Sequence, residues 1–235
     1  MTYEQRKNNR GFDETRPIEA KVGVIKRADG SAYFRIGNTA AYAAVYGPRN
    51  LHPKFLQDPA RGILRCNYNM MPFSGSGERV RPGGNRRSKE ISLVTEKSLL
   101  PVLELGEYPN SVVDVFIELP QTEAGSRCAG ICAASMALAD AGLIMKDLVT
   151  AVSVGKVGDK IVVDLDGEEE HFEEGSTDIP IAYLPNLDKI TLLQMDGQIT
   201  KDELLKAIEM GKAACKKIYE IQKAALKEKY VIEDA

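Results

Sequence analysis

Three residues at the polar end of one stretch are of types, and in an order, that could do chemistry. In QTEAGSRCAGICAASMALADAGL, residues 121–143, Gly125, Ser126 and Arg127 precede an almost unbroken run of small apolar residues. Glycine lets a backbone approach a ligand closely, serine is a good helix N-cap, and arginine adds a planar charged fork. A helix starting there exposes unpaired N–H groups and a partial positive charge, which suits an anion such as phosphate. Ordinary capping, with Arg127 as a surface side chain, fits the same letters, because no longer phosphate-loop motif is present. Arg86 and Arg87 open a second expected helix, where positive charge opposes the macrodipole; a residue placed against local preference hints at function. A solvated basic loop is the other reading. Residues 79–89 carry five basic residues and no acid, and residues 164–178 carry eight acids and no Lys or Arg. Acids so dense repel one another unless well solvated or bound to a cation. Asp178 stands apart from the rest, because it directly precedes the apolar IPIAYL, at the mouth of a strand that would fix its backbone.

The remaining composition bounds the answer. A chain of 235 residues with 43% hydrophobic and 28% charged residues can bury a proper core. Its net charge of −3 argues against a generally basic nucleic-acid binder, so any polyanion must meet a local basic patch. No apolar run reaches the roughly 18 residues of a membrane span, and MTYEQRKNNRGFDETRP has no apolar signal-peptide core. The expectation is a cytoplasmic protein with no membrane association. Cys66, Cys128, Cys132 and Cys215 fit neither a disulfide framework nor a zinc ribbon, and the first reading is that they are small core residues.

The elements that must position these groups follow from periodicity and turn chemistry. Residues 1–20 read as a loosely held arm and residues 21–235 as one domain. The arm is followed by strand, tight Asp29-Gly30 turn, strand, and a third strand through Tyr42 and Val45. ILRCNYNMMPF reads as a strand with Arg65, Asn67 and Asn69 on one face, and SGSGERVRPGGN as a mobile loop. A helix is expected over residues 86–103, SVVDVFIELPQ as a strand, and then the helix behind Gly125, stopping near Gly142. A hairpin turning at Gly158-Asp159, the acidic loop and a strand pair around residues 186–188 come next. The last helix is announced by a Thr200–Glu203 capping box and a stripe of Leu204, Ile208, Gly211, Cys215 and Ile218. Strand hairpins mixed with strand-helix units give an α+β class, mixed sheets packed with helices.

Taken in order, RPIEAKVGVIKRADGSAYFRIGNT, AAVYGPR, LRCNYNMMPFS, NRRSKEIS, VDVFIELPQTEAGSRCAGICAASMALADAGL, VGKV and TDIPIA resemble the RNase PH family. Within it, the resemblance is to the catalytic RNase PH-like branch of archaeal exosomes, and it covers nearly the whole chain. It implies an RNase PH-like fold and 3′→5′ phosphorolysis of RNA, in which inorganic phosphate is a co-substrate and a nucleoside 5′-diphosphate is released. It further implies that Gly125, Ser126 and Arg127 bind the phosphate, that Arg86 and Arg87 hold the RNA 3′ end, and that Arg65 lies on the RNA path. Asp178 corresponds to the second of two active-site acids. The first departs from the family spacing: six positions before Asp178 stands Phe172, and a two-residue insertion at Glu173-Glu174 places Glu170 there instead. Asp178 and Glu170 are thus the expected catalytic acids and the ligands of Mg²⁺ or Mn²⁺. The implied partners are single-stranded RNA, a homologous paralogue in a hexameric ring, and RNA-binding cap subunits. Two other functions compete: a non-catalytic RNA-binding ring subunit, favoured by the departure at Glu170, and a homohexameric enzyme that trims transfer RNA.

Overall fold

The helix behind Gly125 lies at the centre of the molecule, and its composition explains how. In the computed structural model, which describes residues 3, 5, 6, 9–76, 81, 83–172 and 175–231, two sheets pack against it. The first holds β1 (Ile18–Val22), β2 (Gly30–Ile36), β3 (Thr39–Asn50), β4 (Ile63–Met70) and β5 (Ser111–Gln121), in the order β1-β2-β3-β5-β4. Every pairing in it is antiparallel except β4 with β5, whose parallel register is bridged by α1 (Arg86–Leu99). The second holds β6 (Thr150–Val157), β7 (Lys160–Val163), β8 (Ser176–Leu184) and β9 (Lys189–Leu193), ordered β7-β6-β8-β9. Helix α2 (Ser126–Asp140) has 13 of its 15 residues buried, and it can sit between sheets because Ala, Gly, Cys and Ser let backbones come close. Gly130, for example, faces Tyr68 and Ile117, where even a methyl group would lie 3.3 Å from Ile117. Truncating Ile131, fully buried in this helix, to Ala would cost about 2–5 kcal/mol by cavity formation.

Helix α4 (Lys201–Glu228) covers the second sheet and β1 with one face, burying Ala207, Gly211, Ala214, Cys215 and Ile218. Its Thr200–Glu203 capping box forms as the sequence requires. All four cysteines are buried and unpaired, in agreement with their reading as core residues. Among the described residues no helix is long and apolar enough to cross a membrane.

Three local expectations are corrected. Residues 23–29 form an open connection between β1 and β2, so Asp29-Gly30 is not a tight turn. Gly30 instead begins β2 at a spot where a Cβ would sit 2.2 Å from Ala141 N, and the two-residue turn comes one strand later at Gly37-Asn38. The acidic segment is not simply a loop either. It contains a one-turn helix, α3 (Gly167–Glu170), started by a reciprocal capping box between Asp166 and Glu169.

Within the N-terminal segment, finally, Arg6, Arg10 and Arg16 are firmly held. Arg6 is 2% exposed and grips both oxygens of Glu169 at 2.8 Å. Arg10 lies 3.4 Å from Asp166 and 3.5 Å from Asp164, and Arg16 forks onto Asp164 at 2.7 and 2.9 Å. The arginines of the preceding segment therefore neutralise Asp164, Asp166 and Glu169.

Candidate functional site

Gly125, not Ser126, is the N-cap of α2. Its φ of 67° is left-handed, and it offers no side-chain oxygen to the first turn. The leading N–H groups of α2 are thus left without a side-chain cap, and a helix start in that state attracts anions. These groups open onto a cleft of about 430 Å³ whose walls include Arg127 and Arg87. Arg127 donates to the neutral Gln194 Oε1 at 2.5 Å and makes no ion pair among the described residues, although its charge reaches Asp178. The turn is propped from below by Arg16, whose Nη2 donates to the Ala124 carbonyl at 3.3 Å.

The cleft lining is also acidic. Asp178 lies within β8, not before it, and exchanges backbone hydrogen bonds of 2.9 and 2.8 Å with Asp196. Ser153 of β6 donates its hydroxyl to Asp178 Oδ1. Burial raises the Asp178 pKa, while the Ser153 hydrogen bond and the charge of Arg127 pull it back. Glu170 closes α3 and is anchored through its carbonyl, which accepts from Ser176 Oγ at 2.6 Å. Its carboxyl is pushed up to about 7, first by burial and then by the charge of Asp178; the Gly125 N–H, His171 and Arg16 oppose the shift. Positive groups and two acids in one cleft, at least one acid reluctant to ionise, can bind an anion and hold or deliver a proton beside it. Among the described residues no group of three or more His, Cys, Asp or Glu is arranged to hold a metal ion. Two carboxylates nonetheless suit Mg²⁺, which commonly takes one or two from the protein and its other ligands from water and substrate phosphates.

The cleft therefore brings together Gly125, Ser126, Arg127, Arg87, Glu170 and Asp178. Arg86 occupies the first position of α1 but is exposed and outside the cleft lining. Arg65 is elsewhere: it pairs with Asp114 at 2.6 Å on the outer face of β4, beside Arg49. Burial opposes the Asp114 charge, but the Arg65 and Arg49 hydrogen bonds hold its carboxyl below the usual range. The proposed insertion at Glu173-Glu174, and residues 77–80 and 82 of the expected basic loop, lie outside the described residues. The sequence reading missed Ser153, His171 and Asp196, which also line the cleft. Asp196 could have been found only by knowing that its segment pairs with β8. Replacing Arg87 by Ala is expected to weaken binding of any polyphosphate chain and lower its salt slope by about one unit, with a smaller change for Arg86→Ala. Equal, negligible effects in a salt titration would make both arginines plain surface groups.

Comparison with known proteins gives two consecutive matches, to the 3′ exoribonuclease family domain 1 over residues 14–143 and domain 2 over residues 147–214. The exosome complex component Rrp41 of Thermococcus kodakarensis is 54% identical over 218 residues, covering 93% of this chain and 86% of that protein. The Rrp41 of Nitrosopumilus maritimus is 48% identical over 226 residues, covering 96% and 91%. Among solved structures, rice Rrp46 superposes with a TM-score of 0.82 at 23% identity, covering 94% of this chain and all of that one, a likeness of fold.

Proposed function

Because this chain belongs to the RNase PH-type 3′ exoribonuclease family, we propose that it is a phosphorolytic 3′→5′ exoribonuclease subunit of an archaeal-type exosome. In this reading it acts in the cytoplasm on single-stranded RNA, within a hexameric ring shared with a homologous paralogue and topped by RNA-binding cap subunits. The observation that carries the proposal is the uncapped start of α2, with Arg127 beside it, lining one cleft together with Glu170 and Asp178.

The chemistry follows from that arrangement. Inorganic phosphate and the scissile phosphodiester repel each other, so their approach needs fixed positive groups. Gly125, Ser126 and Arg127 hold the attacking phosphate through backbone N–H groups and a charge-assisted fork. Arg87 holds the phosphate of the terminal nucleotide, and Arg86 and Arg65 act farther out on the RNA path. A phosphate oxygen forms a bond to the terminal phosphorus as the bond to the 3′ oxygen of the preceding nucleotide breaks. A nucleoside 5′-diphosphate leaves, and the shortened RNA keeps the 3′ oxygen, which takes up a proton. Asp178 is placed to deliver that proton, and Glu170 shares its charge. Alternatively, Asp178 and Glu170 in their ionised form would hold Mg²⁺ or Mn²⁺, which when bound would supply charge stabilisation at the leaving oxygen in place of that proton. Contacts through phosphates and backbone shape carry little base preference.

The test is release of ADP from a poly(A) oligomer, by the chain alone and with its ring partner, with and without phosphate. Phosphate-dependent ADP release is expected. Arg127→Gln should raise the half-saturating phosphate concentration by about tenfold or more, the worth of one charge-assisted hydrogen bond. RNA binding with no release would favour a non-catalytic ring subunit, and full activity of a homohexamer would favour a transfer-RNA-trimming enzyme.

A further inference from the structure

The segment that precedes β1 ties the acidic turn to the phosphate-facing turn, although among the described residues none before Glu123 other than Arg87 lines the cleft. Arg6 is the centre of this tie. Its guanidinium donates to both oxygens of Glu169 at 2.8 Å, to the Val163 and Asp164 carbonyls at 2.8 Å, and to the Gly11 and Glu14 carbonyls at 3.2 and 3.1 Å. Glu169, 3% exposed, also accepts from the Tyr3 hydroxyl at 2.7 Å and from the Asp166 N–H at 2.9 Å. The next residue is Glu170.

A one-turn helix has too few internal hydrogen bonds to hold its own shape in water, so something else must fix α3. That something is a buried, doubly bonded carboxylate one position from the acid that faces the cleft. Consecutive helical side chains point about 100° apart, so holding Glu169 inward fixes the direction in which Glu170 points. Arg16 completes the frame. It forks onto Asp164, whose φ of 57° is left-handed, and reaches Glu123 at 3.2 Å and the Ala124 carbonyl at the base of the Gly125 turn. The two walls of the cleft are therefore referenced to one N-terminal segment.

We propose that Arg6 is a positioning residue for Glu170: by clamping Glu169 it sets α3, and with it the acid, against the Gly125–Arg127 turn. The proposal rests on the reading that Glu170 takes part in phosphorolysis. A loose geometry, not a lost charge, is what its removal would cause, so the effect should fall on turnover and not on substrate binding.

The experiment compares Arg6→Lys, Glu169→Gln and their double variant in the assembled ring, by phosphate-dependent ADP release. Arg6→Lys keeps the charge and loses the fork. Each single variant should lower kcat by about tenfold with KM for RNA and phosphate within about twofold, and the double should be no worse than the worse single, as for residues acting as one unit. Amide hydrogen exchange should quicken over residues 167–171 and stay unchanged in β6 and β8. Unchanged kcat in Arg6→Lys, additive losses, or a loss matched by exchange throughout the second sheet would each overturn the proposal. If Arg6→Lys does not assemble, Tyr3→Phe removes one donor from the same carboxylate. A lowered kcat at constant KM then supports the proposal, and an unchanged kcat overturns it. Glu170→Gln is the control: wild-type kcat there would remove Glu170 from the reaction, whatever the Arg6 variants do.

Discussion

Asp178→Ala is expected to abolish phosphate-dependent nucleotide release, a loss of at least about 10³-fold in kcat, while RNA binds as well as before or better. The two halves of that expectation have one cause. Asp178 is an acid on the path of two anions, so for binding its charge is a cost, and only the departing 3′ oxygen makes it useful. The fold should survive, because Asp178 is held in β8 by backbone hydrogen bonds with Asp196 that do not involve its side chain. The chief local loss is the acceptor for the Ser153 hydroxyl. Asp178→Asn separates the roles further: the carboxamide oxygen can still accept from Ser153 but cannot supply a proton. Both variants should therefore be inactive. If Asp178→Ala kept normal phosphate-dependent release, the active site would lie elsewhere.

What could be read from the letters, and what could not, divides along a physical line. Helix α2, the capping box of α4, the exposed face of β4 and the core cysteines each depend on residues close in sequence, where periodicity and turn chemistry act. The meeting of Glu170, Asp178 and Gly125 in one cleft is legible only through family resemblance, because tertiary packing alone sets it. The cap of α2 differs from the expected serine for a local reason. Serine is the better capping side chain, but a left-handed Gly125 leaves the N–H groups uncapped, and that vacancy is what an anion can use. The acidic stretch misled for a distant one. Its partners Arg6, Arg10 and Arg16 lie about 150 residues earlier, as in the Arg16–Asp164 separation of 148, so no windowed reading could pair them. Ser153 and Asp196 escaped for the same reason, as each matters only through the register of β6 and the Asp196 segment with β8.

Glu170→Gln is expected to lose less activity than Asp178→Ala and to gain stability above neutral pH. The Glu170 carboxyl, ordinarily near 4.5, is pushed up to about 7 by burial and by the charge of Asp178. An acid whose pKa is raised on folding binds its proton more tightly in the native state, so stability falls as pH rises through the window from about 4.5 to 7. Above that window the penalty is complete, up to about 3 kcal/mol for a shift of this size. Glutamine has the same shape and no charge to bury, so the variant should escape the penalty and unfold several degrees higher at pH 8. Near pH 4 the two proteins should unfold alike. A cation held by Glu170 and Asp178 would relieve the same penalty, because an opposite charge favours the ionised form. Millimolar Mg²⁺ at pH 8 should therefore raise the wild-type midpoint more than that of Glu170→Gln, with no assay of catalysis involved. Parallel unfolding of the two proteins across this pH range would mean that Glu170 ionises freely, and its place beside Asp178 would then have no cost for a substrate or a metal to relieve. The expected divergence instead marks Glu170 as an acid kept in an unfavourable place, which is where selection for function over stability leaves its trace.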